Sequence, residues 1–493
     1  MKKITAFSVL LLTAFTIWGC SDSTSPGSAI EEASSERQFI WDAMNFWYFW
    51  QDEVPELADN KAFFDDEQAF QNYLMGFSSS RALFDDLQFE QDDFSFFIDD
   101  FEEFQQSRQG ISRDFGFNFG LVRLNSQGDV FGYVQFVLPG SPADDAGLTR
   151  GDVFTGINGT RLTINNFRDV LSGDSYELIM AEFIEGEISE TGETVQINAV
   201  VLQEDPIFLS KIIDTGTSKV GYLVYNSYRT NSHQDLNDVF RLFGSEENID
   251  ELVVDVRYNG GGALVTSTAL STMISGLGNS ELFAEFTFNS KRSGQNQTID
   301  FMDELPVFND EGSQESEEPI NKLSLNRVFV LTGFGTASAS ETMINGIDPF
   351  MEVILIGRQT VGKDEGSITL FDSPSPFTDD DNANPDHKTA IQPIVLKIVN
   401  SLGQDYPDGF TPDFAVNEIN FLQTNGTLPA LGDENEPLLS KALEVINGEP
   451  VAKTTAANSL LYPEFEMIGD SRDLVQFGKE MYLLPGELEK MEF

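Results

Sequence analysis

Four short apolar runs constrain this chain more than any other feature: Val220 to Tyr225, Leu252-Val253-Val254-Asp255-Val256, Val328-Phe329-Val330-Leu331 and Val353-Ile354-Leu355-Ile356. Stretches with helical character separate them, one from Gln234 to Phe243 and another after Gly262. Largely apolar strands between helices need cover on both faces, so the pattern predicts an α/β domain with a covered sheet, placed here at residues 206–450.

At 493 residues the chain is too long for one core and calls for two to four domains. With 40% hydrophobic residues and 43 Phe it can build them. Acidic residues outnumber basic ones by 81 to 29, a formal charge of -52, which opposes binding to nucleic acid or to anionic lipid headgroups. The charge is read as a solubility device. The acid-rich stretch Thr378 to Asp386 lacks the glycine and terminal glutamate of an EF-hand loop and is read as a solvated loop, so no metal is expected.

Lys2-Lys3, an apolar run from Ile4 to Trp18, and then Gly19-Cys20 have the layout of a secretory signal peptide over residues 1–19. The run is too short and too near the start for a membrane-spanning helix. Cys20, the sole cysteine, directly follows Gly19 and resembles the bacterial lipoprotein processing site, where that cysteine is lipidated and becomes the new N-terminus. The expectation is a protein of the bacterial cell envelope held to a membrane by lipid, facing the periplasm or the exterior. Residues 20–36, rich in Ser, Gly and acid, read as a flexible tether.

Residues 37–108 are dense in aromatics, and Trp41, Met44 and Tyr48 recur at spacings of three and four, so a small helical domain is expected. From 109 to 205 glycine punctuation and short alternating runs take over. Gly140-Ser141-Pro142-Ala143, Ala146-Gly147-Leu148, Gly151-Asp152 and Ile157-Asn158-Gly159 follow in order, with Ser141 as a helix cap. This series resembles a bacterial PDZ domain. PDZ domains bind a peptide C-terminus as an added strand, and Phe115, Gly116, Phe117, Phe119 and Leu121 form the candidate carboxylate loop and strand.

The chemistry is concentrated in Gly335-Thr336-Ala337-Ser338-Ala339-Ser340-Glu341 and in Val361-Gly362-Lys363. A serine needs a base to become a nucleophile. The whole chain has two histidines, His233 in a polar stretch and His387 in a loop, and neither reads as a held imidazole. A Ser/Lys pair is therefore preferred, which requires burial to bring the lysine from its ordinary ~10.4 to about 7 or 8. Val353 to Ile356 and Val361 could supply that apolar surrounding, provided Asp364 and Glu365 point elsewhere. The helix starting near Ala339 offers free N–H groups to an oxyanion, and the glycine run after Val256 offers a second donor.

Together these motifs resemble the C-terminal processing peptidases, or tail-specific proteases. The matching features are Asp255 to Gly262, Gly335 to Glu341, Val361-Gly362-Lys363, and Leu431-Gly432-Asp433 with Pro437-Leu438. The resemblance implies a ClpP/crotonase-like α/β protease core with a PDZ domain and an N-terminal helical domain, and cleavage of unstructured polypeptides near free C-termini without cofactor, metal or nucleotide. It implies Ser338 as nucleophile, Lys363 as general base, and the N–H groups of Ala339 with Gly261 or Gly262 as the oxyanion hole. Many members carry Gln or Glu four residues after the lysine; here Ser367 stands there, with Thr369 as the alternative orienting residue. Ser340 is the rival nucleophile. The rival function is a catalytically inactive PDZ-containing scaffold lipoprotein, and an acyl-CoA enzyme is disfavoured by the export signal and the acidic charge. Residues 451–493 form a tail to which the sequence assigns nothing, and oligomeric state is not legible.

Overall fold

The computed structural model describes residues 32–309, 313–449, 453, 465–475, 477–484 and 487. The expected signal peptide, the lipidation candidate Cys20 and most of the tether lie outside the described residues.

The apolar runs form the centre of a six-stranded sheet, ordered Ile207–Asp214, Lys219–Tyr225, Glu251–Asp255, Arg327–Thr332, Glu352–Gly357 and Phe414–Ala415. Its first pair is antiparallel and the others are parallel. Helices His233–Arg241 and Leu264–Ser275, and the fully buried helix Ala339–Ile347, supply the cover such strands need. A second six-stranded sheet lies beside the first: Gly262–Ala263, Met481–Tyr482, Glu365–Ser367, Ile394–Asn400, Leu282–Phe288 and Gln297–Asp300.

The N-terminal helices Ser35–Trp47, Glu67–Met75, Ser80–Asp86 and Phe101–Arg108 each start at an Asp or Ser whose side chain accepts a first-turn N–H: Ser34, Asp66, Ser79 and Asp100. Ser35 and Glu36, placed by the sequence reading at the end of the tether, already lie in the first helix. The aromatic stripe faces inward. Ile40, Met44 and Trp47 are fully buried in one cluster with Leu223, Val254 and Leu396 of the α/β domain, so the helical region shares its core. Strand Phe96–Ile98 pairs with Ala390–Gln392 and fixes this junction.

In the glycine-punctuated region a seven-stranded antiparallel sheet encloses a separate core of Phe119, Val134, Phe154 and Leu178. Ser141 caps the short helix Pro142–Asp145 as its position predicted. Two strands come from the C-terminal tail: Met467–Asp470 joins the PDZ-like sheet beside Phe117–Arg123, and Met481–Tyr482 joins the second sheet. No helix among the described residues is long and apolar enough to cross a membrane.

Candidate active site

Strand Arg327–Thr332 ends in a tight turn, and Ser338 is the residue from which helix Ala339–Ile347 starts. Its backbone sits at φ 62 and ψ -119, which costs a non-glycine residue about 1–3 kcal/mol and persists only when neighbours over-determine it. Neighbours do so on both sides. Thr336 Oγ1 donates to Val256 O at 2.8 Å, Ala337 N to Asn259 O at 3.2 Å, and Ser338 N to Glu341 Oε2 at 2.8 Å. The Ser338 hydroxyl is fully buried and has no hydrogen-bond partner among the described residues. Ser340 differs: its hydroxyl donates to Asn259 O at 3.1 Å and braces the turn.

Glu341 stands three residues into the helix, the position from which a glutamate reaches back to the capping residue. Here it does more. Oε2 accepts the N–H of Ser338 and, at 2.9 Å, that of Lys363, while Oε1 accepts the Gly362 N–H at 2.7 Å and the Thr360 hydroxyl at 2.5 Å. One buried carboxylate thus ties the backbone of the nucleophile candidate to that of the base candidate. Burial pushes its carboxyl up, and the four donors act against that.

Lys363 is 1% exposed, and burial lowers its amine to about 8. Nearby carboxylates, with Glu480 first, work in the opposite direction. The cover includes the ring of Phe94 from the N-terminal region, 4.5 Å from Nζ. Asp364 and Glu365 pair with Lys397, at 3.6 and 3.4 Å, yet Glu365 still stands next after Glu480 among the carboxylates that act to raise the Lys363 amine, so the expectation that both acids point elsewhere is met only in part. Lys363 Nζ donates to the carbonyl of Lys479 at 3.0 Å and forms no hydrogen bond with Ser338 Oγ.

The glycine run splits in two. Gly261 N–H is taken by Asn259 Oδ1 at 2.9 Å, so it has no capacity left for an oxyanion, a correction to the sequence reading. Gly262 N–H points to the carbonyl oxygen of Glu480 at 2.6 Å. The Ala339 N–H, at the free start of its helix, has no acceptor among the described residues. A β-carbon at Gly261 would lie 2.8 Å from Ser338 Cβ and 3.1 Å from Ala339 N, so only glycine allows the loop to approach this closely.

The loop is held from behind by a buried ionic network. Arg257 donates to Asp255 Oδ2 at 2.7 Å and Glu436 Oε2 at 2.9 Å, and Tyr258 donates to Glu418 Oε2 at 2.6 Å. Arg150 of the PDZ-like region donates to the same Glu418 oxygen at 2.7 Å. Burial alone would raise the Glu418 carboxyl; Arg150 and Arg257 hold it at about 2.

The orienting candidates do not touch Lys363. Ser367 Oγ donates to Met481 O at 3.0 Å and accepts Gln392 Nε2 at 2.9 Å, whereas Thr369 Oγ1 accepts Arg108 Nη1 at 2.8 Å. The two histidines stand apart from the Ser/Lys pair, but His233 is held after all. It is buried between Pro306 O at 2.7 Å and Thr266 Oγ1 at 2.8 Å, and burial lowers it to about 4. His387 bonds Asp372 at 3.0 Å.

In the PDZ-like region, Phe117, Phe119 and Leu121 point into the core, and what they offer a ligand is the edge of their strand. Gly116 adopts φ 83 directly before it, and Phe115 stacks on Tyr176 with ring centroids 4.0 Å apart. That edge is paired to Met467–Asp470. Sequence reasoning missed Glu341, Asn259, Phe94 and the tail residues as parts of this site. Only Glu341 had a local signal, its capping-box spacing from Ser338. Among the described residues no cluster of His, Cys, Asp or Glu fits a metal ion.

Residues 219–416 match the family described as Peptidase family S41, residues 35–96 the Peptidase S41 N-terminal domain, and residues 134–183 a PDZ domain. The "C-terminal processing peptidase, chloroplastic" of Tetradesmus obliquus is 25% identical over 238 residues, 46% of this chain and 46% of that protein. The "Probable CtpA-like serine protease" of Staphylococcus aureus (strain COL) is 22% identical over 267 residues, 53% of this chain and 47% of that protein. The matched part is thus about half the length of these curated relatives. A crystal structure of a Bacteroides fragilis NCTC 9343 protein assigned to the S41 proteases is 26% identical, covers 83% of this chain and 97% of its own, and superposes with a TM-score of 0.62.

Proposed function

Since the chain belongs to peptidase family S41, with that family's N-terminal domain and a PDZ domain, we propose that it is a lipid-anchored serine endopeptidase that cuts unstructured polypeptides near their C-termini. The observation that carries this reading is the shared carboxylate of Glu341, which bonds the backbones of both Ser338 and Lys363.

In the proposed reaction Ser338 Oγ adds to a peptide carbonyl and its proton passes to the neutral amine of Lys363. The oxyanion forms beside the N–H groups of Gly262 and Ala339. Lys363 then protonates the departing amine, and water resolves the ester to a carboxylate and free Ser338. Two features support these roles: an amine already lowered to about 8, and a nucleophile hydroxyl that no other group holds. The PDZ domain takes the substrate's C-terminus along the edge of Phe117–Arg123, and Cys20 carries the lipid.

Labelling with a serine-directed fluorophosphonate, followed by peptide mapping, tests the assignment. Modification of Ser338 that disappears in Lys363→Ala is expected, and modification confined to other serines would reject it. Amidating the substrate C-terminus should raise KM, and unchanged turnover would remove the carboxylate-capture role. Cys20→Ser should release the protein from the membrane fraction.

A further inference from the structure

The tail to which the sequence assigned nothing runs through both binding surfaces. Met467–Asp470 pairs antiparallel with Phe117–Arg123, Met467 opposite Val122 and Asp470 opposite Gly120, so it advances toward the Gly116 loop as a PDZ ligand would. Glu466 O accepts the Arg123 N–H at 2.9 Å, and Ser471 Oγ accepts that of Phe119 at 3.3 Å. Ile468 and Leu474 pack on the cluster that contains Phe119 and Phe167. The added-strand position of the groove is therefore filled.

Farther along, the same tail enters the catalytic cleft. Gly478 lies against Gly260, Lys479 O accepts the Lys363 amine at 3.0 Å, and Glu480 O accepts the Gly262 N–H at 2.6 Å. Met481 and Tyr482 pair in parallel with Gly262 and Ala263, and Leu483 N donates to Ser367 O at 3.1 Å. This segment is not loosely laid on the surface: Met481 is 0% exposed and Leu483 2%. Arg108 clamps it from the N-terminal region, bonding Glu480 Oε1 at 2.7 Å and lying 3.8 Å over the Tyr482 ring.

We infer that residues 465–475 and 477–484 are an intramolecular ligand of this protein, seated at once in the PDZ groove and in the catalytic cleft, and that the chain with its tail seated is latent. Latency rests on the Ser338/Lys363 reading above; occupancy does not. The tail uses the donors a substrate needs: the base amine is held by one carbonyl, and the Gly262 N–H by the next. An incoming polypeptide whose C-terminus takes the Phe117–Arg123 edge must displace Met467–Asp470, so the first step of substrate capture also loosens the plug.

Three full-length chains test this: the wild type, a Met481→Asp/Tyr482→Asp variant that puts two charges where the buried strand lies, and Gly260→Ala. At Gly260 the three nearest atoms a β-carbon would meet all belong to Gly478 and Lys479. Hydrogen exchange in the wild type should show protected amides at 469–470 and 481–483, and both variants should lose that protection while the inner strand Val130–Val137, which does not pair with the tail strand, keeps it. Cleavage of an unfolded polypeptide should rise at least tenfold in both, and a synthetic peptide of residues 465–484 should inhibit the Met481→Asp/Tyr482→Asp chain. A wild-type tail that exchanges as fast as the free peptide would overturn the occupancy. A released tail with unchanged Ser338-dependent cleavage would overturn the latency. Protected tail amides in a chain that shows no Ser338-dependent cleavage in any form would keep the occupancy and reject the peptidase reading. Should the double variant fail to fold, Gly260→Ala decides the question alone by the same two readouts.

Discussion

Glu341 accepts the backbone N–H of Lys363 at 2.9 Å, although the two residues lie on different elements of the site. The same oxygen accepts the Ser338 N–H, so the spacing of the two candidate groups depends on one buried charge. Glu341→Gln replaces one oxygen with an NH2 group that faces donors. Two charge-assisted bonds are lost, which should destabilise the fold by about 2–4 kcal/mol in chemical denaturation. It should lower kcat by more than tenfold with little change in KM. Because the Glu341 charge also helps keep Lys363 protonated, the pH limb of kcat should move to lower pH. An unchanged limb would assign Glu341 a purely structural role.

The Lys363 amine, lowered to about 8 by burial, gives a second expectation. Below that pH the proposed base would be protonated and idle. The rate kcat/KM should rise about tenfold per pH unit between 6 and 7.5 and level off above 9. A flat profile would contradict lysine as base.

Burial of His233 sets an acid limit on stability. Its folded value of about 4 lies below the unfolded 6.5, so between those pH values the unfolded chain binds the proton and the folded one does not. Stability should therefore fall as pH drops from 6.5 to 4, by about 3 kcal/mol from this group. Denaturation midpoints of wild type and His233→Gln across that window check it, and the variant should show a shallower slope.

Arg257 is 2% exposed and bonds two buried carboxylates, Asp255 and Glu436. Arg257→Ala should cost about 3–5 kcal/mol by leaving Asp255 without its cationic partner and Glu436 with Arg150 alone. Arg257→Lys should recover only part of it, because an ammonium does not reproduce the fork of donors. Urea midpoints of the two variants measure the difference.

What the sequence made legible follows from the range of the interactions. Leu252 to Val256 and Val328 to Leu331 announce strands because burial on both faces leaves them a single polar position, Asp255. Ser141 announces a helix because a cap is local. The proposal of a Ser338/Lys363 pair draws on flanking motifs and the scarcity of histidine, and the structure brings the two backbones onto the Glu341 carboxylate. The Gly261 N–H was misassigned because its acceptor, Asn259 Oδ1, depends on a side-chain rotamer that spacing does not encode. His233 lies among polar neighbours, yet Pro306 and Thr266 come from distant segments to enclose it. The tail was opaque for the same reason: Met481-Tyr482 has no strand pattern of its own, and its conformation comes from the edges on either side of it.

The most direct test of the Ser338/Lys363 assignment is mass spectrometry of an unfolded polypeptide after incubation with the full chain, with the tail-releasing Gly260→Ala chain, and with each carrying Ser338→Ala or Lys363→Ala. The account predicts fragments cut near the substrate's C-terminus, most abundant with Gly260→Ala, and none with either active-site substitution. Fragments that persist in Ser338→Ala or Lys363→Ala, or their absence from every chain, would contradict it.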